Sequence, residues 1–227
     1  MEYHKHKALE EGLADFFHIC HSKFYPAKNI VIRPGDPAET LYYIREGSVT
    51  VCMENEEGEE LIVAYLNQGD FIGEIGFFSE VGDRLVTIRA KTDVRTEEIS
   101  YQQIRNLAAT QLKNCYPTLL YILGEQMAKR LLSTTRKATD LAFLDVSGRV
   151  VAALKELTIQ PDAMRHPQGI QIKITRQEIS RMVGCSREMV GRVLKELQED
   201  GTIWAHGKTV ILYNDEHRHK TPVIKKL

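Results

Sequence analysis

The sequence has 227 residues, a net charge of −1 and 43% hydrophobic residues, which is typical of a globular protein with one large or two modest domains. Disordered and fibrous classes are excluded by this composition. Wholly apolar runs span only a few residues, as at 62–66, whereas a membrane helix needs about 20. Residues 1–7 are followed by no apolar segment, so we expect no secretory signal and a cytoplasmic location.

The cysteine spacing and the charge distribution bear on metal binding and on domain organisation. Four cysteines are scattered without a CxxC pair, which predicts free thiols and no metal site. Residues 141–227 hold 14 Lys/Arg and 10 Asp/Glu, a net charge of +4, whereas residues 1–140 hold 16 and 21, a net charge of −5. This change of sign predicts two domains, the second with an anionic partner.

Between residues 24 and 100 the pattern is that of an all-β domain. Runs rich in Val, Ile, Tyr and Thr alternate with turns that contain Gly and Asp. This spacing of short strands predicts a barrel or a sandwich. Residues 56–59 are expected at an exposed hairpin tip. Examples of these strand-like runs are 29–32, 40–44, 48–51 and 61–65.

Residues 117–140 have the pattern of a long helix. Apolar positions recur at steps of three and four, and this spacing favours a dimer seam of about three heptads. One amphipathic helix packed on its own β domain is the alternative. Thr134 is unexpected, because it places a hydroxyl on the seam. The seam positions are Leu120, Leu123, Met127, Leu131, Thr134, Ala138 and Leu141.

After Leu141 the sequence predicts short helices and strands. Asp145 caps a helix over about 147–158, and a short strand follows at 171–174. Thr175 begins a capping box that opens a helix to about Val183. A tight turn at 184–186 leads to a helix over about 187–199 with Ser186 as its N-cap. Two short strands around Gly207 complete a winged helix-turn-helix pattern.

The second helix of this pair carries side chains suited to reading DNA. Arg187, Glu188 and Arg192 share a solvent face near its N-terminus, where a recognition helix enters the major groove. Arginine matches guanine O6 and N7, and glutamate accepts from cytosine N4. Phosphate contacts are expected from Arg176, Ser186 and Lys195. The alternative is a solvated face in a small helical domain, and the basic balance and the wing argue against it.

A second candidate site lies in the β region. Gly73 and Glu74 follow a strand-like run, and Arg84 comes ten residues after Glu74. Glycine lets backbone N–H groups approach an anion, a carboxylate accepts from a ribose hydroxyl, and a guanidinium pairs with a phosphate. On chemistry alone, a structural glycine turn with a Glu74–Arg84 salt bridge is the stronger interpretation, because short glycine motifs are weak signals.

Several segments together resemble the cyclic AMP receptor proteins, which belong to the bacterial family that also holds the fumarate-nitrate regulators. The resemblance covers about residues 18–213. It implies an α+β chain with a cyclic-nucleotide-binding β-roll at 1–116, a dimerisation helix at 117–140, a winged helix-turn-helix at 141–213 and a flexible tail at 214–227. The segments that carry the resemblance are 41–44, 47–49, 65–74, 141–145, 174–179 and 183–192.

The resemblance also implies a ligand and its contacts. Cyclic AMP would be the effector, with Gly73 and Glu74 meeting the cyclic phosphate and the ribose 2′-hydroxyl, and Arg84 pairing with the phosphate. Thr134 and Thr135 would reach the adenine, one from each subunit, which would explain the hydroxyl on the seam. Leu85 departs from the family pattern, which has Ser after the Arg, and Ala64 stands where a Ser often lies near the purine. Response to cyclic di-GMP, or DNA binding without ligand, therefore stays open.

The implied partners are a second copy of the chain, double-stranded DNA with a TGTGA-like half-site, and RNA polymerase through the loop 163–169, with no membrane. A β-barrel metalloenzyme would need His or carboxylate ligands on neighbouring strands, and none of the eight histidines lies within 24–100. We therefore predict no enzyme and no metal. A constitutive DNA-binding protein with a β scaffold remains an alternative because of Leu85.

Overall fold

The computed structural model describes residues 11–79 and 82–214. Apart from Asn214, the predicted tail lies outside these residues. The chain divides into two compact units, one ending at Thr134 and the other beginning at Thr135. This division differs from the four predicted functional segments, which stay predictions. Those segments are 1–116, 117–140, 141–213 and 214–227. No helix in the described ranges is long and apolar enough to span a membrane.

The first unit is built mainly from antiparallel strands, preceded by the short helix α1 (Ala14–His18). One sheet has the strand order β1-β8-β3-β6 and the other has the order β2-β7-β4-β5. The strands are β1 (His21–Tyr25), β2 (Ile30–Ile32), β3 (Thr40–Glu46), β4 (Ser48–Glu54), β5 (Glu60–Asn67), β6 (Phe71–Ile72), β7 (Thr87–Ala90) and β8 (Val94–Ser100). Two short helices lie among and after them, α2 (Glu74–Phe78) and α3 (Tyr101–Leu107).

The predicted strand-like runs are confirmed as parts of β2, β3, β4 and β5, and the predicted hairpin tip at 56–59 joins β4 to β5. Strands β1, β6, β7 and β8 were not among the runs named from the sequence, and β1 and β8 have polar sequences. β1 exposes all of its residues except Tyr25, and β8 carries Arg95, Glu97 and Glu98 among its apolar positions. Their pairing with each other and with β3 places these polar residues in the sheet.

Two apolar clusters hold the first unit together. Residues from both sheets form one of them, including Ile44, Val49, Ile88 and Val94. The other joins α1, β3, β6 and α3 to the start of the long helix, with Phe16, Tyr43, Phe71 and Leu119 among its members. The short strand β6 and the residues that follow it are thereby fixed between a sheet and the long helix.

The long helix α4 runs from Tyr116 to Phe143, slightly beyond the predicted 117–140. Its first half packs on its own β domain, where Leu119 and Leu123 are each 0% exposed. Leu123 is therefore wrong as a seam residue, since its side chain is fully covered within the chain. Further along, Leu131 is 68% exposed and Leu141 is 52% exposed. Packing on the chain's own β domain thus holds for the first half of the helix, and the dimer seam stays a prediction for its exposed second half.

The second unit contains the predicted helix-turn-helix and wing. Helix α5 (Val146–Thr158) is followed by β9 (Met164–His166), β10 (Gly169–Lys173), α6 (Arg176–Val183), α7 (Arg187–Glu199), β11 (Ile203–His206) and β12 (Thr209–Tyr213). The strands form one sheet in the order β11-β12-β10-β9. The predicted α+β architecture of β-roll, long helix and winged helix-turn-helix is confirmed.

The predicted helix caps are also confirmed. Asp145 accepts a hydrogen bond from the backbone N–H of Gly148 at 2.8 Å. Thr175 accepts from Glu178 at 3.1 Å, and Ser186 accepts from Met189 at 3.2 Å. Each cap satisfies a backbone donor that the first helical turn leaves without a partner. The three helices of the second unit therefore begin at the residues that the sequence indicated.

Candidate functional site

Gly73 forms the turn between β6 and α2. Its φ angle of 97° lies in the left-handed region that favours glycine. A methyl group at this position would lie 2.6 Å from the carbonyl oxygen of Thr40 and 2.8 Å from Nη1 of Arg84. Both the backbone angle and the close packing thus require glycine. The space next to Gly73 is filled by protein groups, including the guanidinium that was expected to pair with a phosphate.

Glu74 is a buried carboxylate, 2% exposed, at the start of α2. Its Oε1 accepts a hydrogen bond from Nη1 of Arg130 on α4. The interpretation in which Glu74 pairs with Arg84 is wrong, because the structure pairs it with Arg130. The other oxygen, Oε2, is buried and has no hydrogen-bond partner among the described residues. A buried polar oxygen without a donor is costly, so this atom is a candidate acceptor for a hydrogen bond from outside the described residues.

Arg130 and Gln126 join the long helix to β6. Gln126 accepts from the backbone N–H of Phe71 at 2.8 Å and donates to the carbonyl oxygen of Phe71 at 2.7 Å. Arg130 donates to the same carbonyl oxygen as well as to Glu74. The sequence reasoning missed both residues. A signal was present, because Leu119, Leu123, Gln126 and Arg130 continue one helical face at steps of four, three and four.

Arg84 is 8% exposed and is held by two protein groups. Nη1 donates to the hydroxyl of Tyr101 at 3.2 Å, and Nη2 donates to the carbonyl oxygen of Thr40 at 2.5 Å. The guanidinium also lies 5.8 Å from the ring centre of Tyr42 and 5.9 Å from that of Tyr101. These two hydrogen bonds to described residues use two of the five N–H donors of the guanidinium.

The other predicted ligand residues lie on the surface of the single chain. Leu85 follows Arg84 in the sequence but is 72% exposed. Thr134 and Thr135 are exposed on α4. The structure thus brings Gly73, Glu74 and Arg84 together in one buried cluster, whereas Leu85, Thr134 and Thr135 are outside it. Thr135 belongs to the second compact unit, and Thr134 ends the first.

The described residues contain no group of three His, Cys, Asp or Glu side chains that could hold a metal. The cysteines Cys20, Cys52, Cys115 and Cys185 are free thiols. Burial raises the pKa of Cys20 to about 12, with Glu97 adding to the shift, so this thiol keeps its proton at neutral pH.

The helix-turn-helix presents the predicted DNA-reading side chains on one surface. Arg187, Glu188 and Arg192 are exposed, whereas Val190 and Leu194 are buried against the domain. Gly184, with a φ angle of 63°, makes the turn between α6 and α7. The N-terminus of α7 and its polar face are therefore accessible, as major-groove entry requires.

The residues predicted to hold phosphates lie around the same helix. Arg176 is exposed and packs near Gly191, where an added methyl would lie 3.4 Å from Nη1 of Arg176. Ser186 accepts the cap hydrogen bond, and its own hydroxyl proton is left to donate. Lys195 forms an exposed ion pair with Glu199 at 3.6 Å. Such surface ion pairs contribute little to the free energy of folding, so Lys195 can exchange Glu199 for a DNA phosphate with little loss of stability.

Models of known protein families match one region in each half of the chain. Residues 22–111 match the cyclic nucleotide-binding domain, and residues 172–203 match the crp family of bacterial regulatory proteins. A cyclic nucleotide-binding β domain followed by a winged helix-turn-helix defines a class of DNA-binding transcription regulators.

The relatives agree over most of the chain's length. The CRP-like protein Clp of Xanthomonas oryzae pv. oryzae is 49% identical over 207 residues, which cover 91% of this chain and 90% of that protein. The chain therefore belongs to the CRP/FNR family of bacterial transcription regulators. The solved structure of the c-di-GMP-responsive global regulator CLP of Xanthomonas campestris is 48% identical, with a TM-score of 0.85, and covers 90% of this chain and 99% of that one. A CRP/FNR-family regulator of Thermus thermophilus, TTHA1359, is 28% identical, with a TM-score of 0.72, over 86% of this chain and 95% of that one.

Proposed function

We propose that this regulator binds DNA as a homodimer under the control of a cyclic nucleotide held by Gly73, Glu74 and Arg84. The observation that carries the proposal is Oε2 of Glu74, which is buried without a hydrogen-bond partner among the described residues and follows Gly73, the turn that Arg84 packs against. A sugar hydroxyl can donate to that oxygen, and a phosphate can accept from N–H groups of Arg84 that do not bond to Tyr101 or Thr40. Exposed Leu131 supports pairing of two α4 helices, as does exposed Leu141.

Cyclic di-GMP is the first candidate effector. A regulator that is 48% identical over 90% of this chain is described as responsive to this nucleotide. Leu85 weakens the case for cyclic AMP, because it replaces the serine that follows the arginine in the cyclic AMP receptor proteins and offers no hydrogen bond to a phosphate.

Cyclic AMP is the second candidate, and the cluster of Gly73, Glu74 and Arg84 favours it. These three residues match the pattern of cyclic AMP receptor proteins and lie together in the structure. Under this alternative Thr134 and Thr135, exposed on α4, contact the adenine across the dimer.

Calorimetric titration with cyclic di-GMP, cyclic AMP and cyclic GMP tests the ligand. At least one of them should bind the wild-type protein, and Arg84→Leu should abolish that binding. Arg89→Leu is the matched control, since Arg89 forms an ion pair with Glu60 of β5 in the same sheet and is not a member of the cluster of Gly73, Glu74 and Arg84. If none of the three binds, the β domain is a scaffold and DNA binding is constitutive.

We further propose that Arg187, Glu188 and Arg192 read the bases of a TGTGA-like half-site, while Arg176, Ser186 and Lys195 contact phosphates. In a dimer, two recognition helices about 34 Å apart would enter successive major grooves. The β9–β10 hairpin, with Met164 exposed, would present the loop 163–169 to RNA polymerase.

Arg187→Ala should cost about 1–3 kcal/mol of binding free energy at one base position and relax specificity there. Lys195→Ala is the control. Losing a phosphate contact should weaken binding equally for every DNA sequence, and it should reduce the slope of log affinity against log salt concentration by about one. Fluorescence anisotropy with a panel of single-base operator variants at fixed salt measures both effects. A uniform loss for Arg187→Ala would contradict the base-reading role.

A further inference from the structure

The hydroxyl of Tyr101 contacts two members of the cluster formed by Gly73, Glu74 and Arg84. It donates to the carbonyl oxygen of Gly73 at 2.5 Å and accepts from Nη1 of Arg84 at 3.2 Å. Tyr101 is 5% exposed and is the first residue of α3, whereas its partners Gly73 and Arg84 lie outside that helix. One phenol therefore connects the glycine turn to the guanidinium.

The two glycines of the segment 73–76 make room for this phenol. A methyl group at Gly73 would lie 3.0 Å from the Tyr101 oxygen, and a methyl group at Gly76 would lie 2.9 Å from the same atom. Contacts this short are tighter than ordinary side-chain packing allows. The spacing of the glycines is thus explained by a side chain of the protein itself, which the sequence pattern did not reveal.

We propose that Tyr101 is the positioning residue that holds Arg84 and the Gly73 turn in the geometry that binds the nucleotide phosphate. This inference rests on the proposed function and adds to it a residue outside the ligand-contacting set. A guanidinium fixed before binding loses less conformational freedom when the phosphate arrives. The hydroxyl can donate and accept at once only while it is protonated. Burial raises the pKa of Tyr101 above its ordinary value, with Arg84 opposing the shift, so the hydroxyl keeps its proton at neutral pH.

Tyr101→Phe removes both hydrogen bonds and keeps the ring in the apolar cluster. We expect the affinity for the bound nucleotide to fall about tenfold, the size of one hydrogen bond to a charged group. The salt dependence of the dissociation constant should also become weaker, because a misplaced guanidinium makes a poorer phosphate contact.

Tyr25→Phe is the matched control. Tyr25 is also buried, and its hydroxyl donates to Glu98 at 2.7 Å, away from Gly73 and Arg84. Tyr25→Phe loses one hydrogen bond and Tyr101→Phe loses two, so both melting temperatures should fall, whereas only Tyr101→Phe should lose nucleotide affinity. Equal nucleotide affinities in wild type and Tyr101→Phe would overturn the proposal.

A crystal structure of nucleotide-free Tyr101→Phe provides a readout that needs no ligand. The guanidinium of Arg84 should leave the carbonyl oxygen of Thr40, and an unmoved guanidinium would overturn the positioning role. If the wild-type protein binds no cyclic nucleotide, the proposed function fails. The position of Arg84 in the Tyr101→Phe structure still tests separately whether Tyr101 positions the guanidinium.

Discussion

Arg130→Ala should lower the free energy of unfolding by about 3 kcal/mol, because it leaves the buried carboxylate of Glu74 without its counter-ion. The side chain of Arg130 is 27% exposed and that of Glu74 is 3% exposed, so most of the penalty falls on the carboxylate. Arg130 also donates to the carbonyl oxygen of Phe71, and this bond is lost with it. Urea unfolding of the full chain, followed by circular dichroism, measures the change.

Lys129→Ala is the control for this prediction. Lys129 precedes Arg130 on the same helix, but its ion pair with Glu125 is at the surface, and its loss should cost less than about 0.5 kcal/mol. Adding Glu74→Gln to Arg130→Ala should restore part of the stability, because a neutral amide removes the uncompensated charge. Equal, small effects of Arg130→Ala and Lys129→Ala would contradict the structural role of this ion pair.

Gly73→Ala should have an effect of similar size, about 3 kcal/mol, for a different reason. The φ angle of 97° is unfavourable for any residue with a Cβ, and the added methyl would lie 2.6 Å from the backbone oxygen of Thr40. The turn would have to move away from Arg84 and Tyr101, so nucleotide binding should be lost as well. Urea unfolding and calorimetric titration measure the two effects.

Gly58→Ala separates the two causes. Gly58 has a similar φ angle of 80° at the β4–β5 hairpin tip, but an added methyl there would lie no closer than 3.7 Å to any residue beyond its chain neighbours, at the side chain of Glu54. It should therefore cost only the backbone strain, about 1 kcal/mol, and leave nucleotide binding unchanged. If both alanine variants are equally stable, the close packing around Gly73 is not what determines the residue at this position.

Sequence reasoning predicted most of the second unit because its signals are local. Thr175 and Ser186 each cap a helix within three residues, and Gly184 supplies the turn, so a few neighbouring positions determine each boundary. The same holds for the β4–β5 hairpin, whose tip is marked by Gly58.

The surroundings of Gly73, Glu74 and Arg84 were predicted less completely because their contacts join residues far apart in the sequence. Arg130 reaches Glu74 across 56 positions, and Gln126 reaches Phe71 across 55. Neither pairing has a local signature, and the same carboxylate had an arginine only ten positions away. The heptad spacing of α4 was ambiguous for a related reason, since Leu123 packs inside the domain while Leu131 of the same series is exposed.

The affinity of the dimer for its operator, with and without nucleotide at fixed salt, tests the central claim most directly. We predict that saturating cyclic di-GMP or cyclic AMP changes the dissociation constant of the wild-type protein at least about tenfold, within the usual range of coupling between two sites. Arg84→Leu should bind the same operator but show no change on addition of either nucleotide. A wild-type dissociation constant that neither nucleotide alters would contradict control of DNA binding by the pocket at Gly73, Glu74 and Arg84.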